Sequence, residues 1–239
     1  MELCFLNAVL TGMSCDGKAF TYVNQLASTD ADLSKREEWF TCACCPPNVT
    51  RTLGMLGGYF WSFDTSQDDS TAEINVHMYG SATLNFAVGD RTVTLEQRSD
   101  WPWKSDIDFE LNSGQVKTNI RLRIPAWASG WTVSFCGCIE ITYIDSTSSQ
   151  IEPAAPSAEI IKGYLRLDSQ WLSQNLKFRL HIPLTPRKIR PHPYTNQDVV
   201  ALARGPIIYC LEDADNKWVN DHFKVRLSTD LRLLSPNKY

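Results

Sequence analysis

Three cysteines, Cys42, Cys44 and Cys45, crowd into four positions of the stretch 38–61, EWFTCACCPPNVTRTLGMLGGYFW. Thiols this close cannot easily bridge one another, because adjacent cysteines close a disulfide only in strained geometry. Pro46 and Pro47 follow at once. Proline is tolerated in the first turn of a helix, so the pair predicts a helix start. Val49, Leu53, Leu56 and Phe60 then fall on one face of that helix. The thiols therefore stand at a helix N-terminus, where the helix dipole and unpaired N–H groups favour a thiolate. Thiols held on such a turn suit zinc or a nucleophile. The competing reading is three small buried residues, since free cysteine is among the most buried residue types. Gly54, Gly57 and Gly58 lower helix propensity and predict another backbone packed close beside them.

The chain has 239 residues, room for one large domain or two smaller ones. A net charge of −4 gives no electrostatic reason to expect nucleic acid or an anionic membrane as partner. Apolar runs stay far below the roughly 18 residues that cross a bilayer. The first residues, MELCFLNAVLTGM, carry an acid and no base ahead of their apolar stretch, unlike a secretory signal. That, with clustered thiols, points to the cytoplasm. Cys136 and Cys138 are expected on one face of a strand as structural residues. Their C-x-C spacing is not the C-x2-C of common zinc sites.

Along the chain, Leu3, Leu6, Val9 and Leu10 recur at helical spacing over residues 2–11. Ala19–Val23 reads as a short strand and residues 27–38 as a polar loop. Glu37 and Glu38, the carboxylates beside the cysteines, read as a solvated loop end. The polar run at 64–71 marks a domain joint. Strands are expected at Glu73–Tyr79, Ala82–Val88, Arg91–Gln97, Asp106–Leu111, Asn119–Ile124 and Thr132–Phe135. Further strands are expected at Tyr164–Leu167, Leu176–Ile182, Val199–Ala203 and Ile207–Leu211. Their alternation and close spacing predict an antiparallel sandwich. Residues 144–158, rich in Ser, Pro and Ala, read as an inserted loop. Trp101, Trp103, Trp127, Trp131 and Trp171 could stack on sugars, but cores and rims are the favoured place for them. His77, His181, His192 and His222 show no ligand spacing and read as structural. Asn48-Val49-Thr50 matches a glycosylation sequon that a helix start makes a poor acceptor.

Taken in order, GMSCDGKAFTYVNQL, WFTCACCPPNVTRTLGMLGGYFW, INVHMYGSATL, LRIPAWASGWTV, GYLRLDSQW and VALARGPIIYCLEDADN resemble glycoside hydrolase family 127, the beta-L-arabinofuranosidase-like group. The resemblance runs from about Leu3 to Asn216, and the CACCPPN block is its most specific part. It implies a mixed α and β chain, the end of an (α/α)6 barrel followed by antiparallel β-sandwich domains. It divides the chain into a barrel portion at 1–64, a sandwich at 65–187 and the start of a second sandwich at 188–239. It also implies retaining hydrolysis of an arabinofuranose-containing glycan or small glycoside. By position, Cys44 looks like the nucleophile and a zinc ligand, Cys45 like a further zinc ligand, and Tyr22 like a residue lining the sugar pocket. Cys42 belongs to the motif without an assigned role.

The family's acid/base glutamate lies ahead of the segment that matches residue 1. So do a glutamate and a cysteine that complete the zinc site, and the histidines that hold the sugar. This chain is therefore expected to be the C-terminal portion of such an enzyme and inactive alone. Two other readings compete with it. One is a non-catalytic sandwich module binding carbohydrate or a partner chain. The other is a plain zinc or redox module, which would need every ligand from this chain.

Overall fold

The computed structural model describes residues 1–23, 35–135, 139–142, 159–211 and 230–231. The chain is mixed α and β, mostly sheet with few helices, and forms two compact units. One joins Met1–Met55 to Thr185–Tyr239; the other is Leu56–Leu184.

The second unit is built from two sheets. A five-stranded sheet contains β1 (Trp61–Thr65), β2 (Thr71–Val76), β6 (Lys117–Arg123), β10 (Tyr164–Leu167) and β9 (Glu159–Ile161), in the order β1-β2-β6-β10-β9. Its pairs are antiparallel except β2 and β6, which run parallel with Ile74 beside Ile120. The six-stranded sheet contains β3 (Ala82–Val88), β4 (Arg91–Ser99), β5 (Asp106–Asn112), β11 (Lys177–His181), β7 (Thr132–Phe135) and β8 (Ile139–Thr142), in the order β3-β4-β5-β11-β7-β8.

Strand side chains alternate between faces, so every second residue can be buried. Ala72, Ile74 and Val76 of β2 are buried with Ile120 and Leu122 of β6 and Leu165 of β10. They share one core with Val93 and Leu95 of β4, Ile107 and Phe109 of β5, and Phe178 and Leu180 of β11. The two sheets thus form a sandwich, as the alternation predicts, but its β2–β6 pair is parallel where antiparallel pairing is expected. Trp101 and Trp131 are buried in that core, and Trp127 and Trp171 pack against it. The polar faces are laced with ion pairs. Arg179 grips Asp108 with two nitrogens, and His181 lies 2.5 Å from Asp106.

The sequence reads the start and type of most strands correctly, with shifts of one to three residues at their ends. It misses four strands. One is β1, which pairs with β2 across the polar run at 64–71. That run is a hairpin turn, held by Ser66 and Asp68 hydroxyl and carboxylate bonds to Ser70 and Thr71. Its composition is that of a turn, and turns and linkers share the same residues. The others are β8, β9 and β12 (Pro186–Ile189), each of three or four residues. Residues 144–158, Cys136, Cys138 and His222 lie outside the described residues.

The first unit opens on a helical run, α1 (Glu2–Cys4) passing into a π-helical turn Phe5–Val9 and a 3-10 turn Leu10–Gly12. Glu2, Phe5 and Gly12 are its buried residues; Leu3 is exposed. The expected face is therefore displaced, because the π-helical turn breaks the 3.6-residue period. No strand forms at Ala19–Val23. Phe20 alone bridges Met13 on one side and Glu37 on the other. A second helix, α2 (Pro46–Gly54), begins at the two prolines. Val49 and Leu53 are the half-buried apolar residues of that helix. The close backbone expected at Gly54, Gly57 and Gly58 is absent from the described residues: a Cβ there meets nothing within 4 Å. A three-stranded antiparallel sheet, β12-β13-β14, adds β13 (Ala201–Arg204) and β14 (Ile207–Tyr209). Asn7 ties the helical run to it. Its Nδ2 donates to the Pro206 carbonyl at 2.8 Å, and its Oδ1 accepts from Ile208 N at 2.8 Å.

One turn of the sandwich depends on glycine. Gly114 has φ +56°, and a Cβ added there would lie 2.5 Å from the Thr92 carbonyl oxygen. Gly114→Ala is expected to destabilise the chain by about 2 kcal/mol or more, from left-handed backbone strain plus the clash. Urea unfolding measures it; a loss within a few tenths of a kcal/mol of zero would contradict this account of the turn.

Candidate functional site: a tyrosine against the cysteine turn

Tyr22 is carried to its place by backbone rather than by a regular strand. Phe20 N and Glu37 N each donate to the other's carbonyl, at 3.0 and 2.9 Å. Thr21 N donates to the Gly12 carbonyl at 2.8 Å. Arg36 closes the third side, its guanidinium giving Thr11 O two bonds of 3.3 and 2.7 Å. That cation satisfies a carbonyl at the C-terminal end of the helical run, where helices leave acceptors unpaired. The next residue after this knot is Tyr22. Its ring lies 5.2 Å from the ring of Phe40.

The cysteine turn is shaped from the other side. Cys45 is the residue before α2, and the Asn48 amide N–H donates back to its carbonyl at 3.0 Å. The Asn48 side chain reaches one residue further and donates to the Cys44 carbonyl at 3.2 Å. With both prolines at the helix start, the turn is braced at each of its two carbonyls.

These two pieces meet at sulfur. The Tyr22 hydroxyl lies 2.7 Å from Cys44 Sγ, and Cys45 Sγ lies 3.5 Å from the same atom. Tyr22 as donor favours the thiolate of Cys44 and pulls its pKa below the ordinary thiol value; Cys45 and Cys42 add in the same direction. The reciprocal effect raises the Tyr22 phenol, because losing its proton would leave an anion against a thiolate. All three thiols are exposed, so the reading of small buried residues fails. The site is an open turn whose geometry favours the thiolate form of Cys44 beside a helix N-terminus.

Two cysteine sulfurs 3.5 Å apart fit one edge of a tetrahedral zinc site. The fit stops at those two donors: among the described residues no group of three or more His, Cys, Asp or Glu could hold a metal ion. His77 hydrogen-bonds Tyr164 and Ser62, and His192 stacks on Tyr194. Both read as structural, as expected. Burial, with the charge of Arg123, keeps the His77 pKa below its usual value.

The sequence places Tyr22, Cys44 and Cys45 in one site only through resemblance, and the geometry brings these three together. It does not foresee that the Tyr22 hydroxyl sits on the Cys44 sulfur. Asn48 and Arg36 are missed as well. The PPN that follows the thiols is a turn signal that could have flagged Asn48, whereas nothing local marks Arg36.

Comparison with known proteins gives three matched family models in chain order. Residues 1–58 match the catalytic domain of GH127 beta-L-arabinofuranosidase. Residues 73–184 match its middle domain, and residues 186–235 the family's C-terminal domain. The chain is 29% identical over 232 residues to the non-reducing end beta-L-arabinofuranosidase of Bifidobacterium longum subsp. longum, covering 90% of this chain and 32% of that protein. It resembles the crystal structure of a GH127 beta-L-arabinofuranosidase from Geobacillus stearothermophilus T6, with TM-score 0.72 and 29% identity, over 90% of this chain and 33% of that one. A third likeness is to a GH127 beta-arabinofuranosidase, BT3674, with TM-score 0.67 and 28% identity, over 87% of this chain and 32% of that one. The chain thus spans about a third of the length of these relatives. By the three models together, the chain belongs to glycoside hydrolase family 127.

Proposed function

We propose that this chain carries the nucleophile of a retaining glycoside hydrolase acting on beta-L-arabinofuranosides, and that the nucleophile is Cys44. The Tyr22 hydroxyl 2.7 Å from Cys44 Sγ is the observation that carries the reading. The match of residues 1–58 to the family's catalytic domain supports it. On this reading residues 1–58 are the closing part of the family's (α/α)6 barrel.

Most retaining glycosidases use a carboxylate nucleophile with a second carboxyl group as acid and base. A thiolate serves when its environment holds it ionised. The Cys44 sulfur attacks the anomeric carbon, and the bond from that carbon to the aglycone oxygen breaks. A general acid protonates the departing oxygen. Water, deprotonated by the same group, then displaces the sulfur from the anomeric carbon. Two inversions give net retention. Tyr22 holds its proton against the sulfur before the attack and meets the returning thiolate after it. The resemblance places the acid/base group ahead of the matched segment.

Zinc, as the family implies it, would be held by Cys44 and Cys45 and would supply a further lowering of the thiol pKa. Its support is the 3.5 Å sulfur separation. Native mass spectrometry of the reduced chain reads this directly. Zinc retained by the Cys44→Ser, Cys45→Ser double variant would place the ion elsewhere.

An aryl aglycone of low pKa leaves without acid help, which isolates the nucleophile's step. Reduced chain incubated with 4-nitrophenyl beta-L-arabinofuranoside is expected to gain one anhydropentose on Cys44, seen by peptide mass spectrometry. Cys44→Ser is expected to gain none. An adduct on another residue, or none on a folded chain, would refute the reading.

A further inference from the structure

We infer that the Cys44–Cys45 pair is an oxidation site for hydroperoxides, closing reversibly into a disulfide that removes the nucleophile. The consequence for activity rests on the reading of Cys44 given above; the chemistry of the pair does not.

The motivating geometry is local. The two sulfurs lie 3.5 Å apart, both side chains are exposed, and neither is in a disulfide. Bond formation needs a closing movement of about 1.5 Å toward the usual 2.05 Å, and between adjacent residues the ring closes only in strained geometry. The Tyr22 hydroxyl also contacts the Cys44 sulfur, at 2.7 Å. A hydroxyl there can protonate an oxygen departing from that sulfur. Exposed thiols with a second thiol in reach are the arrangement of redox-responsive sites.

The Cys44 sulfur attacks one oxygen of the peroxide; the O–O bond breaks, sulfur loses two electrons, and hydroxide or alkoxide leaves. Cys44 becomes a sulfenic acid. The Cys45 sulfur attacks the sulfenic sulfur, the S–OH bond breaks, and water leaves with the thiol proton. The product is a disulfide between adjacent residues. Such a ring is strained, so a dithiol reduces it readily and restores both thiols. While it persists, no thiolate is available to meet an anomeric carbon.

Cys42 is the natural rival as resolving thiol, since it also approaches Cys44. The 3.5 Å sulfur separation and the direct adjacency favour Cys45.

The test treats the reduced full chain with a chelator, because zinc would hold the same two thiols, then exposes it to hydrogen peroxide and maps products by peptide mass spectrometry. The expected result is a two-hydrogen loss confined to Cys44 and Cys45, reversed by dithiothreitol. In Cys45→Ser, a sulfenic acid on Cys44 is expected to persist long enough for dimedone to capture it. A disulfide joining Cys44 to Cys42, or peroxide leaving both sulfurs reduced in the wild-type chain, would overturn the inference even if the variant fails to fold. The consequence for the nucleophile is read separately with the aryl arabinofuranoside. Reduced chain that takes up the pentosyl group, and loses that uptake after peroxide and regains it after dithiothreitol, supports the switch. Uptake unchanged by peroxide overturns the switch and leaves the nucleophile standing. No uptake by reduced chain refutes the nucleophile, and the disulfide map alone then decides the oxidation site.

Discussion

The hydrogen bond between the Tyr22 hydroxyl and the Cys44 sulfur is the interaction on which the chemistry proposed for this chain depends. A cysteine at an ordinary thiol pKa of about 8.5 is mostly protonated at neutral pH and a poor nucleophile. Tyr22 shifts that balance by donating to the anion, and the adjacent Cys45 and the start of α2 act in the same direction. The arrangement is cheap in structure. It needs one aromatic hydroxyl delivered to one sulfur, and short backbone bridges do the delivery. Phe20 pairs with Glu37, Thr21 with Gly12, and Arg36 clamps Thr11. None of these contacts is part of a long strand or helix, so the precision of the site comes from a knot of single hydrogen bonds.

The sandwich rests on different physics. Its two sheets meet through side chains alternating along each strand, and nearly all the fully buried ones are apolar. Gln97 and Thr118 are the exceptions: Gln97 has Nε2 on the Met78 carbonyl at 3.3 Å and Oε1 without a hydrogen-bond partner among the described residues, and Thr118 Oγ1 donates to the Val116 carbonyl at 3.2 Å. The tryptophans that suggest a sugar-binding module largely belong to this core. Trp131 is 2% exposed, and Trp101 stacks on Trp127 at 6.0 Å. Their burial removes the motive for a purely carbohydrate-binding reading of that unit, while Trp103 alone of the five is exposed.

Much of this was legible in the sequence, for identifiable reasons. Strands such as β3, β7 and β10 appear with their full bounds because period-2 alternation is a local signal that burial then enforces. The start of α2 was legible because two prolines can open a helix but not continue one. What failed was non-local or rested on shared composition. The 64–71 run has turn chemistry, and nothing in it tells a hairpin from a joint. The first helical run changes its period partway, so its apolar spacing pointed to the wrong face. Tyr22 could be named only by resemblance, since its meeting with Cys44 spans 22 positions and passes through residues of no marked character. Arg36 is a surface-type residue whose role exists only once Thr11 is beside it.

The most direct test of the central claim is the pH dependence of Cys44 alkylation by iodoacetamide, followed at that residue in wild-type chain and in Tyr22→Phe. A lowered pKa means the thiolate is present from a lower pH upward, so the wild-type midpoint should fall below the ordinary thiol value of about 8.5. Removing the hydroxyl removes the largest cause of that lowering, so the Tyr22→Phe midpoint should move up. A wild-type midpoint at the ordinary thiol value, unchanged by the substitution, would show that Tyr22 does not hold the Cys44 thiolate and would contradict the account.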